Sequence, residues 1–227
     1  ALGGSARDGT RLRQRADATA GMGAVSKHKT IADIGEFGFL ARLLPSLPTG
    51  AGVVVGPGDD AAVLEPGGPL LLFTTDAMVE GVHFRRGWMT PRQMGRKAYL
   101  VNASDIAAMG GRPTFCVVSA GVPANAPVRV LSEIHRGVAA AARETGALLV
   151  GGNLSRANDL FISVALLGVA GHPVTRGGAR PGDQVFVTGV LGEAGLGLRA
   201  LLRNGHARGT AVARFREPVP RLRAGAA

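Results

Sequence analysis

Residues 69–76 read Pro-Leu-Leu-Leu-Phe-Thr-Thr-Asp, an apolar run that closes on two hydroxyl groups and a carboxylate. The run predicts a strand over residues 69–75, with Asp76 at its end. A hydroxyl, a carbonyl and a carboxylate at one strand end can converge on a single cation, because Mg²⁺ prefers hard oxygen ligands. Without a cation the same segment is a polar turn, and both interpretations stay open.

Four more polar segments along the chain follow apolar runs or lie beside glycines. They are Gly58-Asp59-Asp60, Asn102-Ala103-Ser104-Asp105, Gly151-Gly152-Asn153 and Gly182-Asp183. Carboxylates can hold Mg²⁺, and glycine lets the backbone approach a phosphate without an intervening side chain. The sequence therefore predicts a nucleotide-dependent enzyme that handles phosphate. For each segment the alternative is structural: an Asx turn, a helix cap or a turn into a strand.

Asp105 is the most informative of these carboxylates because it lies inside a helix of apolar pattern. Ala98, Val101 and Ala108 mark the buried face of that helix, and Asp105 is close to this face. A buried carboxylate without a partner is costly, so we expect Asp105 to be paired or bound to a metal. The alternative is a helix cap at a break near Asn102.

The remaining apolar patterns predict helices and strands joined by glycines. Thr90, Pro91 and Gln93 form a helix start with a capping box, and that helix is expected to reach residue 109. Further helices are predicted over residues 36–44, 127–146 and 194–203, and further strands over residues 50–55, 114–121, 148–150, 160–170 and 184–188. The fold class is therefore α/β with a mixed, α+β character. A domain joint is expected near residues 147–153.

The net charge of +10 does not predict nucleic-acid binding, because its excess lies at the two ends of the chain. Residues 1–30 hold six basic against two acidic residues, residues 199–227 hold seven against one, and residues 31–198 hold thirteen of each. A neutral body offers no basic face. No apolar run has the length of a membrane helix or a secretory signal, so we expect a cytoplasmic protein without nucleic-acid or membrane partners.

Cys116 is the single cysteine, which excludes an internal disulfide and a cysteine-built zinc site. It lies in the apolar run 114–120, so we expect a buried thiol rather than a nucleophile. The sequence has no Gly-x-Ser-x-Gly elbow, no Walker loop and no dinucleotide fingerprint. Phosphate chemistry in this chain must therefore rely on metals and carboxylates, without a catalytic protein nucleophile.

Six segments in one consistent order give the chain a resemblance to a known family. They are Gly35-Glu36-Phe37, the Gly-Asp-Asp-Ala-Ala-Val run at 58–63, the Thr-Thr-Asp-Ala-Met-Val-Glu-Gly-Val-His-Phe run at 74–84, residues 97–110, Gly151-Gly152 and residues 175–189. From about residue 35 to residue 223 the chain resembles the thiamine-monophosphate kinases. These enzymes belong to the aminoimidazole-ribonucleotide-synthetase-like superfamily, which binds ATP without a Walker loop.

The resemblance implies an N-terminal domain of this superfamily over residues 31–147, which binds metal and ATP and pairs with its twin in a homodimer. Residues 148–227 would be the first part of a C-terminal α/β domain, and residues 1–30 a disordered or non-native basic extension. The family transfers the γ-phosphoryl group of ATP to thiamine monophosphate in line, with Mg²⁺ as cofactor, and forms thiamine diphosphate. Because the family's C-terminal domain continues further, we expect this chain alone to have little or no kinase activity.

The resemblance also assigns roles to individual residues. Metal ligands would be Asp60, Thr74, Thr75, Asp76, Asp105 and Asn153, ATP contacts would be Gly152, Asn153 and Arg176, and a substrate contact would be His83. Many family members have Gly-Gly-Asp where this chain has Gly-Gly-Asn, so one metal site would lose a charge. Two alternatives remain: a selenophosphate-synthetase-like or hydrogenase-maturation-like enzyme of the same superfamily, and a truncated, non-catalytic module for nucleotide binding or dimerisation.

Overall fold

The computed structural model of the chain describes residues 51–56, 59–65 and 67–225, together with Ala41. All of these except Ala41 fall in one compact unit, Leu47–Ala227. The basic segment 1–30 and the helix expected over residues 36–44 lie outside the described residues, apart from Ala41 itself. No helix within the described ranges is long and apolar enough to cross a membrane.

A six-stranded sheet forms the centre of the described unit. Its strands are β1 (Val53–Val55), β2 (Ala62–Leu64), β3 (Leu71–Val79), β4 (Arg112–Val122), β5 (Leu148–Arg156) and β6 (Phe161–Val169), in the order β1-β2-β3-β6-β4-β5. The β4–β5 pair is parallel and the other neighbouring pairs are antiparallel. The mixed α/β class expected from the sequence is confirmed.

Five α-helices accompany the sheet in the described ranges: α1 (Pro91–Ala108), α2 (Val128–Glu144), α3 (Glu193–Arg203), α4 (Thr210–Arg216) and α5 (Leu222–Gly225). The capping box predicted for α1 is present. Thr90 Oγ1 accepts a hydrogen bond from Gln93 N at 3.2 Å, and Thr90 N donates to Gln93 Oε1 at 3.0 Å. These two bonds satisfy backbone and side-chain groups reciprocally and fix the start of the helix.

Glycines allow α1 and α2 to cross in close contact. A Cβ atom built on Gly95 would lie 2.0 Å from the Ile134 carbonyl oxygen, and one on Gly137 would lie 2.1 Å from the Arg92 carbonyl oxygen. Both distances are far below van der Waals contact, so neither position can carry a side chain without moving a helix. The two helices thus cover one face of the sheet at short range.

The core lies between this face of the sheet and the helices. Its fully buried side chains include Leu72, Tyr99, Ile106, Val138, Ile162, Val164 and Leu166. A smaller apolar cluster of Trp88, Leu201 and Val212 joins α3 and α4 to the turn before α1. Cys116 is buried in the main core, as expected, and burial raises the pKa of its thiol to about 11.

Three predictions about strands were wrong. Strand β3 does not end at Thr75, because β6 pairs with it as far as Val79 and thus places Asp76 inside the strand. The strand predicted over residues 148–150 as short and buried runs on to Arg156 and is largely exposed, since it lies at the edge of the sheet.

The third error concerns residues 184–188, which form no strand. Val185 and Phe186 are 91% and 84% exposed. A strand needs a hydrogen-bonded neighbour, and within the described ranges no strand pairs with this segment, although its residue types favour one. The domain boundary expected near residues 147–153 stays a prediction, and the sheet itself continues from β4 into β5 and β6 across that point.

Candidate active site

A hydrogen bond between β3 and α1 forms the centre of the candidate site. Thr74 Oγ1 donates to Asp105 Oδ2 at 3.0 Å, although the two residues are 31 positions apart. Side chains alternate along a strand, so Thr74 and Asp76 share the face of β3 that also carries the buried residues Leu72 and Met78. This face packs on α1 and brings the hydroxyl and the carboxylate together.

The charges around Asp105 show which residues surround it. Burial is the main cause that raises the pKa of Asp105 to about 6, and the negative charges of Asp76 and Asp60 raise it further. The hydrogen bond from Thr74 and the positive charge of Arg176 act in the opposite direction. Asp60 and Asp76 are thus both within electrostatic reach of Asp105, which the hypothesis of a shared phosphate site requires.

Asp59 and Asp60 both form polar contacts with Arg176, which lies far from them in the sequence. The backbone N–H of Arg176 donates to Asp59 Oδ2 at 3.1 Å, and the Arg176 guanidinium forms a salt bridge with Asp60. Asp59 Oδ1 also accepts from the backbone N–H of Asp60 at 2.9 Å. The sequence predicted a role for Asp59 only as the neighbour of Asp60. Its contact with Arg176 joins residues 117 positions apart, so no local sequence pattern indicates it.

Thr75 points away from this group. Its hydroxyl donates to the Val164 carbonyl oxygen at 3.0 Å and lies 3.5 Å from Ser163 Oγ. The hydroxyl groups of Thr74 and Thr75 thus lie on opposite sides of β3, because neighbouring side chains of a strand face opposite sides. A metal-ligand role for Thr75 stays a prediction.

Gly152 and Asn153 lie on β5, separated from β3 by β6 and β4. Three strand spacings amount to about 14 Å, so one cation cannot contact Asp76 and Asn153 of the same chain. Asn153 Nδ2 donates to Ser155 Oγ at 3.0 Å and its side chain is exposed. A Cβ atom on Gly152 would lie 2.1 Å from the Val118 carbonyl oxygen, so this glycine is required by close strand packing whatever else it binds.

His83 lies in the turn that follows β3 and is exposed. Its Nδ1 accepts a hydrogen bond from the backbone N–H of Val79 at 3.1 Å. A neutral imidazole with an accepting Nδ1 carries its proton on Nε2. The Nε2–H of His83 is therefore a donor that the Val79 bond does not use, and His83 is not a packed core histidine.

The oxygen donors near Asp105 are of the kind that can hold Mg²⁺, with water or phosphate as the remaining ligands. Among the residues described, no three His, Cys, Asp or Glu side chains are close enough to hold a metal ion by themselves. The Thr74 hydroxyl and the Asp105 carboxylate nevertheless supply hard oxygens in contact with each other, and the charges of Asp60 and Asp76 reach Asp105. Mg²⁺ is commonly held by one or two carboxylates, with substrate phosphates and waters completing its shell.

Comparison with known proteins shows which families the chain is similar to. Residues 58–170 match the family model of the AIR synthase related protein, N-terminal domain. The chain is 40% identical over 178 residues to the thiamine-monophosphate kinase of Mycobacterium tuberculosis, a match covering 78% of this chain and 53% of that protein. It is 35% identical over 200 residues to the thiamine-monophosphate kinase of Bacillus subtilis, covering 84% and 62%.

A solved structure resembles the whole described unit. The structure of AaThiL complexed with AMPPCP and TMP superposes with a TM-score of 0.81 at 34% identity, over 88% of this chain and 64% of that one. The chain thus spans about half to three fifths of the length of the two curated relatives. Residues 58–170 therefore match the AIR synthase related N-terminal domains, and the resemblance of the chain to the thiamine-monophosphate kinases is confirmed.

Proposed function

We propose that this protein transfers the γ-phosphoryl group of ATP directly to thiamine monophosphate, in a Mg²⁺-dependent reaction that forms thiamine diphosphate. The observation that carries the proposal is the Thr74–Asp105 pair, with Asp60 and Asp76 within electrostatic reach. The similarity to AaThiL, which was solved with the ATP analogue AMPPCP and with TMP, supports the choice of substrates.

The reaction joins two anions, so their repulsion must be neutralised before they can meet in line. Mg²⁺, when bound, supplies this neutralisation and stabilises the charge of the transferred group. Asp60, Asp76 and Asp105 would hold it, and Thr74 would orient the Asp105 carboxylate through its hydrogen bond. Without a protein nucleophile, the rate would come from positioning and charge.

The remaining predicted residues would position the two substrates. Arg176 would contact the nucleotide phosphates, and the Nε2–H of His83 would donate to an oxygen of thiamine monophosphate. Gly152 has no side chain, so its backbone could approach the nucleotide closely, and Asn153 would offer a neutral oxygen beside it. We propose that residues 31–147 form the metal- and ATP-binding domain and that the protein is located in the cytoplasm.

We further propose that two copies of the chain pair through the open face of the sheet. This face lies opposite α1 and α2 and carries uncharged residues on its three central strands: Phe73, Thr75, Phe115, Val117, Ser119, Ala165 and Leu167. Phe73, Phe115 and Val117 are nearly half exposed. An apolar sheet face normally packs against another layer, and a second copy would supply one without opposing like charges.

Pairing can be tested by light scattering coupled to size exclusion. Wild type should have the mass of a dimer. The Val117→Glu variant should have the mass of a monomer, because the glutamate places a charge in the face through which the two copies pair. Val128→Glu, at an exposed valine that begins α2, is the matched control and should remain dimeric. A dimeric Val117→Glu protein would exclude this face as the interface.

The function itself is tested by a substrate panel. ADP release and thiamine diphosphate formation are measured with ATP, Mg²⁺ and thiamine monophosphate, and ADP release is measured with selenide as the rival acceptor. AMPPCP binding is measured by calorimetry with Mg²⁺ and again with EDTA. Thiamine diphosphate formation supports the proposal. Turnover with selenide only contradicts it, and Mg²⁺-dependent AMPPCP binding without any turnover is the result expected if this chain, which spans about half of its relative's length, acts alone only as a nucleotide-binding module.

A further inference from the structure

Arg176 makes three contacts with the carboxylates of Asp59 and Asp60, two of them through its charged guanidinium. Its backbone N–H is bonded to Asp59 at 3.1 Å, its guanidinium pairs with Asp60, and the guanidinium Nε lies 4.0 Å from Asp59 Oδ1. The same positive charge acts on Asp105. The guanidinium therefore lies where a metal cation would otherwise neutralise the carboxylates of the proposed site.

This arrangement conflicts with the roles proposed for both partners. A guanidinium that occupies an oxygen of Asp60 competes with a divalent cation for the same lone pairs. While it remains there, its Nη2 group and part of its positive charge are directed at Asp60 and not at a nucleotide phosphate. Opening of this salt bridge would therefore strengthen both proposed roles, because it would free the Asp60 oxygen for a divalent cation and the Arg176 charge for a phosphate.

The surroundings allow that opening. The Arg176 side chain is 63% exposed, and exposed ion pairs are held weakly because water screens them. Gly177 and Gly178 follow it, and a Cβ atom on either would meet no atom within 4 Å. The bond from the Arg176 backbone to Asp59 does not depend on the guanidinium, so the side chain can swing while the loop stays attached.

We propose that Arg176 is an exchangeable cation, which neutralises Asp60 before ligands bind and transfers to a nucleotide phosphate when Mg²⁺ takes its place. This inference rests on the proposed function and adds to it a coupling between metal and nucleotide. Each ligand removes the obstacle to the other: Mg²⁺ releases the arginine, and the phosphate draws it away from Asp60. By reciprocity the two ligands should then bind with positive cooperativity.

The test compares Arg176→Met with Arg180→Met. Arg180 lies in the same loop, and in the described part of the chain its side chain is recorded in no salt bridge with Asp59 or Asp60. Mn²⁺ serves as the spectroscopic substitute for Mg²⁺, and its binding to the nucleotide-free protein is measured by electron paramagnetic resonance. AMPPCP binding is then measured by calorimetry at saturating Mn²⁺, and circular dichroism checks that each variant is folded.

Arg176→Met should bind Mn²⁺ about threefold to tenfold more tightly than wild type, since a weak exposed competitor has been removed. It should bind AMPPCP more weakly, whereas Arg180→Met should change either affinity by less than about twofold because a charge without contact is largely screened. Opposite shifts are diagnostic. If the role of Arg176 were purely structural, Arg176→Met would bind both Mn²⁺ and AMPPCP more weakly. If Arg176 only contacted phosphate, the variant would bind AMPPCP more weakly and Mn²⁺ with unchanged affinity.

The inference is overturned if Arg176→Met binds Mn²⁺ no more tightly than wild type, or if neither protein binds Mn²⁺ without nucleotide. It is also overturned if Arg180→Met gains as much Mn²⁺ affinity, since the effect would then be one of net charge. Failure of the proposed function would give a different result, in which wild type binds Mn²⁺ but does not bind AMPPCP. In that case the Mn²⁺ affinity of Arg176→Met would still show whether the Arg176 guanidinium competes with the metal for Asp60.

Discussion

Replacing Asp105 by asparagine removes a charge that folding buries, so the variant is expected to be more stable than wild type at neutral pH. Burial raises the pKa of Asp105 from 3.8 to about 6. An acid whose pKa is raised on folding binds its proton more tightly in the folded state, so its ionised form favours unfolding. The loss of folding stability caused by the ionised Asp105 is small below pH 4, grows towards pH 6 and reaches its full value above pH 6.

The expected size of the effect follows from the same shift. A difference of about two pKa units corresponds to at most about 3 kcal/mol of unfolding free energy. Because Asp105 keeps part of its surface in contact with solvent, screening reduces this figure, and we expect about 1 kcal/mol. Asparagine keeps an oxygen that can accept the bond from Thr74 Oγ1, so the substitution removes the charge and retains the contact.

Urea unfolding followed by circular dichroism measures this difference, with EDTA present to exclude metal. The variant should gain about 1 kcal/mol at pH 7.5 and only a small fraction of that at pH 4. The control is Asp159→Asn, at an exposed carboxylate between β5 and β6, which should change nothing at either pH. A variant no more stable than wild type at pH 7.5, or equally stabilised at both pH values, refutes the reasoning.

Other substitutions test the packing and the helix start. Gly95→Ala should destabilise the protein by about 1–3 kcal/mol, because its Cβ would clash with the Ile134 carbonyl, whereas Gly87→Ala enters open space and should be nearly neutral in urea unfolding. Thr90→Ala should cost about 1 kcal/mol in the same assay through loss of the cap. Cys116, buried and with its pKa raised to about 11, should react with a chromogenic disulfide only after unfolding, so rapid labelling of the native protein would contradict its burial.

Features that depend on neighbouring residues could be predicted from the sequence. The start of α1 is an example, because Thr90, Pro91 and Gln93 lie within one helical turn and their bonds are local. The burial of Cys116 also followed from its apolar neighbours. The long helices α1, α2 and α3 have an apolar face at helical spacing, which made their positions predictable to within about two residues.

Features that depend on distant partners could not be predicted. The extension of β3 past Asp76 is set by pairing with β6, about ninety positions further along the chain. The exposure of β5 results from its place at the sheet edge, which its residue types do not reveal. The contacts of Arg176 with Asp59 and of Thr74 with Asp105 bring polar side chains together from separate elements, and no local pattern in the sequence pairs these residues.

The exposed edge of β5 has a practical consequence for anyone who handles this protein. Its outer backbone groups have no strand beside them in the described ranges, and Leu148, Val150 and Leu154 are all more than half exposed. Such an edge, free of proline, can recruit strands from other molecules and seed precipitation at high concentration. Val150 falls where the pairing register of β4 and β5 skips a residue, so Val150→Lys should improve solubility at little expense to the fold.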